Sequence, residues 1–322
     1  MLKVAIDSPP THPQVVIVGN FDGVHRGHQA LVAQAHLRRR ELGSSNQSVG
    51  LSVVSFEPHP VEFLKPDVTV ARLDSPESKV KRLRNLGVDK VVVLAFNEAL
   101  SKLSARDFFE QVLVAGMRAK ALVVGSNFYF GQGREGTPER LKSWCQDQNI
   151  VCDVVAGLES DGEMISSSRI RKLLLQGQVS TAARLLGRDY ELSGPVEHGD
   201  KRGRTLGFPT ANLVFQTSGH GARCLPQNGV YATVASVEGK TFPAVTNVGV
   251  RPTFKSGDLR LVETHLLLNP TQTVGADELY GKFMSVEFRD RLREERKFSS
   301  MDELREQIQR DATRARAALS SF

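Results

Sequence analysis

Gln14-Val15-Val16-Ile17-Val18 runs directly into Gly19-Asn20-Phe21-Asp22-Gly23-Val24-His25-Arg26-Gly27-His28, and the reading of this junction decides the fold. The run 14–18 predicts a parallel strand buried on both faces, and the stretch from His28 toward Arg40 predicts a helix. Between them lies a glycine-punctuated turn. N–H groups at a helix start, glycines that admit close backbone approach, and two imidazoles three residues apart together favour oxygen anions. The candidate phosphate-binding residues are therefore Gly19, Asn20, Phe21, Asp22, Gly23 and Gly27, with His25 and His28 as the chemical groups. Such a loop suits adenylyl transfer, in which negative charge builds on the oxygens of an α-phosphate. Taken alone, His25 and His28 read equally well as one exposed and one packing histidine.

Two other stretches carry chemistry. In Ile165-Ser166-Ser167-Ser168-Arg169-Ile170-Arg171, Ser167 and Ser168 can offer hydroxyl and N–H donors at a helix start, and Arg171 can fork onto a leaving pyrophosphate. An ordinary helix cap would use the same serines. The segment 198–204 supplies Gly199 and Gly203 for backbone access to phosphate and Lys201 and Arg204 for charge. It is followed by Pro209-Thr210-Ala211-Asn212, where Thr210 and Asn212 offer two oxygen ligands on one strand face, of the hard kind that suits magnesium. A basic hairpin with a proline bend is the competing reading.

The chain has 322 residues, enough for two separate cores, with 40% hydrophobic and 24% charged residues. No apolar run is long enough to span a bilayer, and residues 1–14 lack a secretory pattern, so the expectation is a cytoplasmic protein with no membrane partner. Cys145, Cys152 and Cys224 lack metal-ligand spacing and are expected as free thiols. A net charge of +6 suits nucleic acid and nucleotide phosphates alike. The basic runs Arg38-Arg39-Arg40 and Lys79 to Arg84 fall on predicted helices without stacking aromatics, so they read as solvated faces and no nucleic-acid partner is expected.

Up to about Gly187, apolar runs at Val49 to Phe56, Val88 to Phe96, Ala121 to Gly125 and Ile150 to Val155 alternate with helical patterns, the mark of a doubly wound α/β sheet. Helices are expected after Ser104 and Thr137, and loops following the strands should converge on one cleft. From Tyr190 the pattern changes to β-like runs at Tyr190 to Glu197, Leu206 to Phe215, Gly229 to Val237, Thr241 to Val248, Leu261 to Leu268 and Phe283 to Phe288, an all-β unit read as a small barrel. A helix from Ser300 should pack across it, with a helical connector over 176–188. The expected domains are 1–186 and 187–322.

The two nucleotide motifs resemble those of the bacterial bifunctional riboflavin kinase/FAD synthetase family. Similar landmarks follow in order at Ser55-Phe56-Glu57-Pro58-His59-Pro60, Val124 to Gly131, Gly203 to Asn212, Asn247 to Phe254 and Leu279-Tyr280-Gly281. The resemblance implies a Rossmann-like nucleotidyltransferase domain before a riboflavin kinase barrel, with ATP, riboflavin, FMN, FAD and pyrophosphate as partners and Mg2+ as the metal. It implies that Thr210 and Asn212 hold the magnesium-nucleotide and that Glu263 is the general base of the kinase. It also implies flavin contacts from Phe56, Pro58, His59, Asn127, Phe128 and Arg291. On residue pattern alone, Glu263 is equally the solvent face of an alternating strand. The chain departs from the family in having Ser168 for threonine, Asn127-Phe128-Tyr129-Phe130 for Asp-Phe-Arg-Phe, and Leu267-Leu268-Asn269-Pro270 after the base. Two other classes fit part of the pattern: a single-activity nucleotidyltransferase with a binding barrel, and a salt-sensitive nucleic-acid-binding protein. The motifs leave the oligomeric state open.

Overall fold

A computed structural model describes residues 9–43, 48–197, 210–219, 221–250, 259–268 and 279–320. The chain divides into two units, 1–70 with 75–166, and 71–74 with 167–322. The candidate residues Gly199, Lys201, Gly203 and Arg204 lie outside the described residues.

The first unit is built on five parallel strands, β1 (Gln14–Val18), β2 (Gly50–Glu57), β3 (Lys90–Ala95), β4 (Ala119–Gly125) and β5 (Val151–Val155), in the order β3-β2-β1-β4-β5. Every residue of β1 is buried. Its alternating side chains feed two cores: Val15 and Ile17 meet Val32 and Ala35 of the helix Arg26–Gly43, while Val16 and Val18 share a cluster with Phe109, Leu113 and Leu141. The helix expected after Thr137 runs over Pro138–Asp147, with the Thr137 hydroxyl accepting the Arg140 N–H at 3.3 Å. The one expected after Ser104 takes another form, one α-turn followed by a π-helix over Phe108–Gly116. The wider winding turns both Phe108 and Phe109 into the core, which successive positions of a narrower helix do less readily. A short hairpin of β6 (Glu159–Ser160) and β7 (Glu163–Met164) completes the unit.

In the second unit the connector expected over 176–188 is one helix, Val179–Leu186, ending at left-handed Gly187; a separate helix, Ser167–Leu175, precedes it. Six antiparallel strands follow, β8 (Tyr190–Pro195), β9 (Thr210–Gln216), β10 (Gly229–Val237), β11 (Lys240–Val250), β12 (Leu259–Leu266) and β13 (Phe283–Arg293), ordered β8-β13-β10-β11-β12-β9. The outer strands meet where Glu197 N–H donates to Asn212 O at 2.8 Å, so the sheet nearly closes on itself. Inside lie Tyr190, Tyr231 and Phe288, with a ladder of buried hydroxyls, Thr233 to Thr246 at 2.7 Å and Thr246 to Thr264 at 3.0 Å. Among the described residues no helix is long and apolar enough to cross a membrane.

The terminal helix Met301–Ala318, capped by Ser300, lays Ala315 against Val230, Ala232 and Val234 on the outside of this sheet. Its anchor is ionic. Asp311, with its side chain 2% exposed, accepts from Arg293 Nη2 at 2.8 Å and from Gln307 Nε2 at 2.8 Å. Asp311→Asn should therefore lower stability by roughly 2–3 kcal/mol, below the ~3–5 kcal/mol of a fully buried broken pair because Arg293 keeps contact with water. Urea unfolding of the full chain measures it, and a midpoint equal to the parent's would mean that apolar packing alone holds the helix.

Candidate active sites

The end of β1 shapes the first site. The last ladder bond runs from Gly19 N–H to Val54 O at 3.1 Å, and the chain then bends through left-handed Phe21 (φ 52°), Gly23 (φ 82°) and Val24 (φ 39°). Phe21 is fully buried and acts as the plug that holds this turn. The helix opens at once, with Gln29 N–H donating to His25 O at 3.0 Å. The two imidazoles stack, ring centroids 3.7 Å apart and 19° from parallel, and Phe21 lies 5.0 Å from His28. Gly27 makes room for this pair, since a Cβ there would come within 3.1 Å of the His25 ring. Burial, then the neighbouring His25, then Lys79 hold His28 well below the usual histidine range, so it is neutral at pH 7. Its Nδ1 is buried without a hydrogen-bond partner among the described residues. A neutral, preorganised imidazole at a helix start is suited to donate to a phosphate oxygen.

The loops after β2 and β4 leave the same edge of the sheet, and β1 lies beside β4 where the strand order reverses. Asn20 joins the first two loops: its Nδ2 lies 3.3 Å from His59 Nε2, and its carbonyl accepts from Ser55 Oγ at 3.1 Å. His59 Nδ1 accepts the Val61 N–H at 3.2 Å and so caps the helix Pro60–Leu64. Pro58, which precedes His59, follows a cis peptide. An aromatic chain links Phe56 to Phe108 (6.3 Å), Phe108 to Phe130 (5.7 Å) and Phe130 to Phe128, stacked at 5.0 Å, so Phe56 and Phe128 border one apolar wall. Asn127 is exposed, and Asp22 is buried within the first loop.

Ser167, Ser168 and Arg171 belong to the helix Ser167–Leu175 of the second unit. Ser168 is exposed, and Arg171 Nε donates to Ala71 O at 2.7 Å. On the barrel, strand register brings distant residues together. Glu263 is the cross-strand partner of Asn212 on β9 and of Asn247 on β11, and His265 is the partner of Thr210. Directly paired residues share a face with Cβ atoms about 5 Å apart, so Thr210, Asn212, Glu263 and Asn247 form one polar patch on the outward face. Asn212 is 4% exposed, and its Oδ1 is buried without a donor among the described residues. A buried acceptor lacking its hydrogen bond, beside a carboxylate and a hydroxyl, fits a hard divalent cation. Arg291 lies apart from that row: its Nη2 donates to Asn228 O at 2.9 Å, and its side chain fills the space over Gly177 and Gly229.

Two features escaped the sequence reading. Lys79, assigned with its basic run to a solvated face, is 7% exposed, because the helix Pro76–Asn85 turns Lys79 and Leu83 inward together. The four-residue spacing from Leu83 was the available signal. Asn247, within a quoted landmark, donates to Glu295 Oε1 at 3.3 Å, and Gly249 leaves the space that this carboxylate occupies.

Comparison with known proteins agrees with this division of labour. A family model for FAD synthetase matches residues 7–169, and one for riboflavin kinase matches residues 186–319. A bifunctional riboflavin kinase/FMN adenylyltransferase of Pseudomonas fluorescens is 39% identical over 94% of this chain and 92% of its own length. The Escherichia coli K12 and Bacillus subtilis proteins of that name are each 37% identical, over 97% and 94% of this chain and 94% and 91% of their own lengths. A solved Streptococcus pneumoniae chain described as a macrolide-efflux protein superposes with a TM-score of 0.83 at 29% identity, covering 96% of both chains. With a stacked His25/His28 loop on one unit, an Asn212/Glu263 patch on the other, and relatives alike over nearly their whole length, the chain belongs to the bifunctional riboflavin kinase/FMN adenylyltransferase family.

Proposed function

We propose that this chain converts riboflavin to FMN on its carboxy-terminal unit and FMN to FAD on its amino-terminal unit, using ATP for both. The observation that carries the reading is the pairing of two separate constellations with the two family matches in the same order.

In the kinase step the primary hydroxyl of the ribityl chain attacks the γ-phosphorus and must lose its proton. Glu263 is proposed as the base that accepts it. Thr210 and Asn212 would hold Mg2+ with the ATP phosphates, and the ion supplies charge neutralisation there. Lys201 and Arg204, with the backbone of Gly199 and Gly203, are proposed to grip the phosphates. Arg291 is proposed near the flavin on family likeness; its Nη2 donates to Asn228 O at 2.9 Å and lies 3.9 Å from the Glu294 carboxylate.

In the adenylyl step the FMN phosphate is already ionised at neutral pH, so no base is needed. His25 and His28 are proposed to stabilise charge on the phosphates, with Gly19, Asn20, Phe21, Asp22, Gly23 and Gly27 shaping the loop. Ser167, Ser168 and Arg171 are proposed to serve the leaving pyrophosphate. Phe56, Pro58, His59, Asn127 and Phe128 are proposed as the flavin wall, which the aromatic chain along it supports. The activity boundary is proposed at Gly187, and a cytoplasmic location is proposed, in which Cys145, Cys152 and Cys224 would stay as free thiols.

Three outcomes test the reading. Glu263→Gln should abolish FMN formation while leaving FAD formation from supplied FMN, as separate chromatographic assays would show; loss of both in a folded protein refutes separate sites. His28→Ala should slow FAD formation by about two to three orders of magnitude with FMN formation intact. A fragment from Gly187, assayed beside one from Ser167 because the main segment of the second unit starts there, should phosphorylate riboflavin without making FAD, and magnesium chelation should stop it. Chelator-resistant kinase activity would remove the reason for assigning Thr210 and Asn212.

A further inference from the structure

A lysine is buried beside the loop that carries the histidine pair. Lys79 Nζ donates to Ser55 Oγ at 3.1 Å and to Asn20 O at 3.4 Å, while Ser55 Oγ itself donates to Asn20 O at 3.1 Å. Ammonium, hydroxyl and carbonyl thus close a triangle between the helix Pro76–Asn85, the end of β2 and the first residue beyond Gly19. The Asn20 side chain in turn meets His59 at 3.3 Å, so the same residue joins both loops.

Burying an ammonium costs several kcal/mol before its partners offset it, and a leucine or methionine would fill the inward helix position without that cost. The positive charge of Lys79 opposes protonation of the stacked histidine pair and so helps to keep His28 neutral. A buried positive charge in a site of low dielectric becomes favourable when a polyanion occupies it. The backbone that Lys79 grips is also the segment that enters the left-handed turn through Phe21, Gly23 and Val24. A shift of Asn20 would move the start of the following helix, and with it both imidazoles.

We propose that Lys79 is a positioning residue for adenylyl transfer: it pins the Asn20 carbonyl to Ser55, fixes the loop that presents His25 and His28, and places a permanent charge behind the triphosphate. It touches neither reacting atom. Its effect therefore belongs in turnover at saturating nucleotide, since a misplacement of about 1 Å at a catalytic group can cost on the order of a hundredfold in rate. The proposal rests on the reading of the Gly19–His28 loop as the adenylyl-transfer site.

The test uses the full chain, with FAD formation from FMN and magnesium-ATP followed by chromatography, riboflavin phosphorylation measured on the same preparations, and thermal unfolding recorded for each. Lys79→Met should lower kcat for FAD formation about tenfold to a hundredfold, with FMN formation unchanged. Lys79→Arg should restore most of the loss, because it returns the charge and two or more donors to the same place. Ser55→Ala, which keeps the charge but removes its anchor, should give a severalfold loss. Wild-type kcat in Lys79→Met overturns the proposal, as does a Lys79→Arg protein no faster than Lys79→Met, since packing rather than charge would then explain the residue. Should Lys79→Met fail to fold, Ser55→Ala decides alone: a severalfold lower kcat supports the proposal and an unchanged one overturns it. His28→Ala serves as the control. If it keeps full FAD formation, the reading of the loop fails; if it is inactive while Lys79→Met is fully active, only the role of Lys79 fails.

Discussion

β1 has no side that faces water. Its two faces feed separate apolar cores and its two edges are bonded to β2 and β4, so the strand from Gln14 to Val18 is fixed in every direction. The chain leaving it must satisfy its own polar groups within a few residues, because buried backbone N–H and C=O groups are costly when unpaired. Left-handed conformations at Phe21 and Val24 cost on the order of 1–3 kcal/mol each, and burial of the whole Phe21 side chain offsets them. What emerges is a helix start aimed at the edge of the sheet where the strand order reverses. The histidine pair sits there because the strand leaves no other exit.

The two units hold phosphate chemistry by different physical means. The α/β unit offers N–H groups and a helix dipole at the end of a strand, with imidazoles as donors and a buried ammonium adding charge. The barrel relies instead on strand register to set side chains from β9, β11 and β12 in one row. Its interior carries a threonine ladder in which the hydroxyls satisfy one another. Asn212 on the outer face is the contrast, a buried oxygen without a donor among the described residues, next to Glu263. Such an oxygen is stabilised by a cation more readily than by another protein group.

Local sequence determined much of this protein. The buried run of Gln14–Val18, the β-like run of Gly229–Val237, the Thr137-Pro138 helix start and the Ser300 cap are all set by neighbours within a few residues, and the folded elements follow them. The spacing of His25 and His28 belongs to the same class, since three residues on one helix start must bring the rings together. Tertiary structure decided the rest. Glu263 becomes distinct from Glu238 or Glu287 only through its register against Asn212, a pairing between strands remote in sequence. The winding of Phe108–Gly116 follows the core it has to fill. Lys79 reads as a solvated charge beside Lys81 and Arg84, yet one helix face carries it into the end of the sheet. A charge is written in the sequence, but whether water surrounds it depends on which other segments close over it, and those segments are chosen by packing across the whole unit.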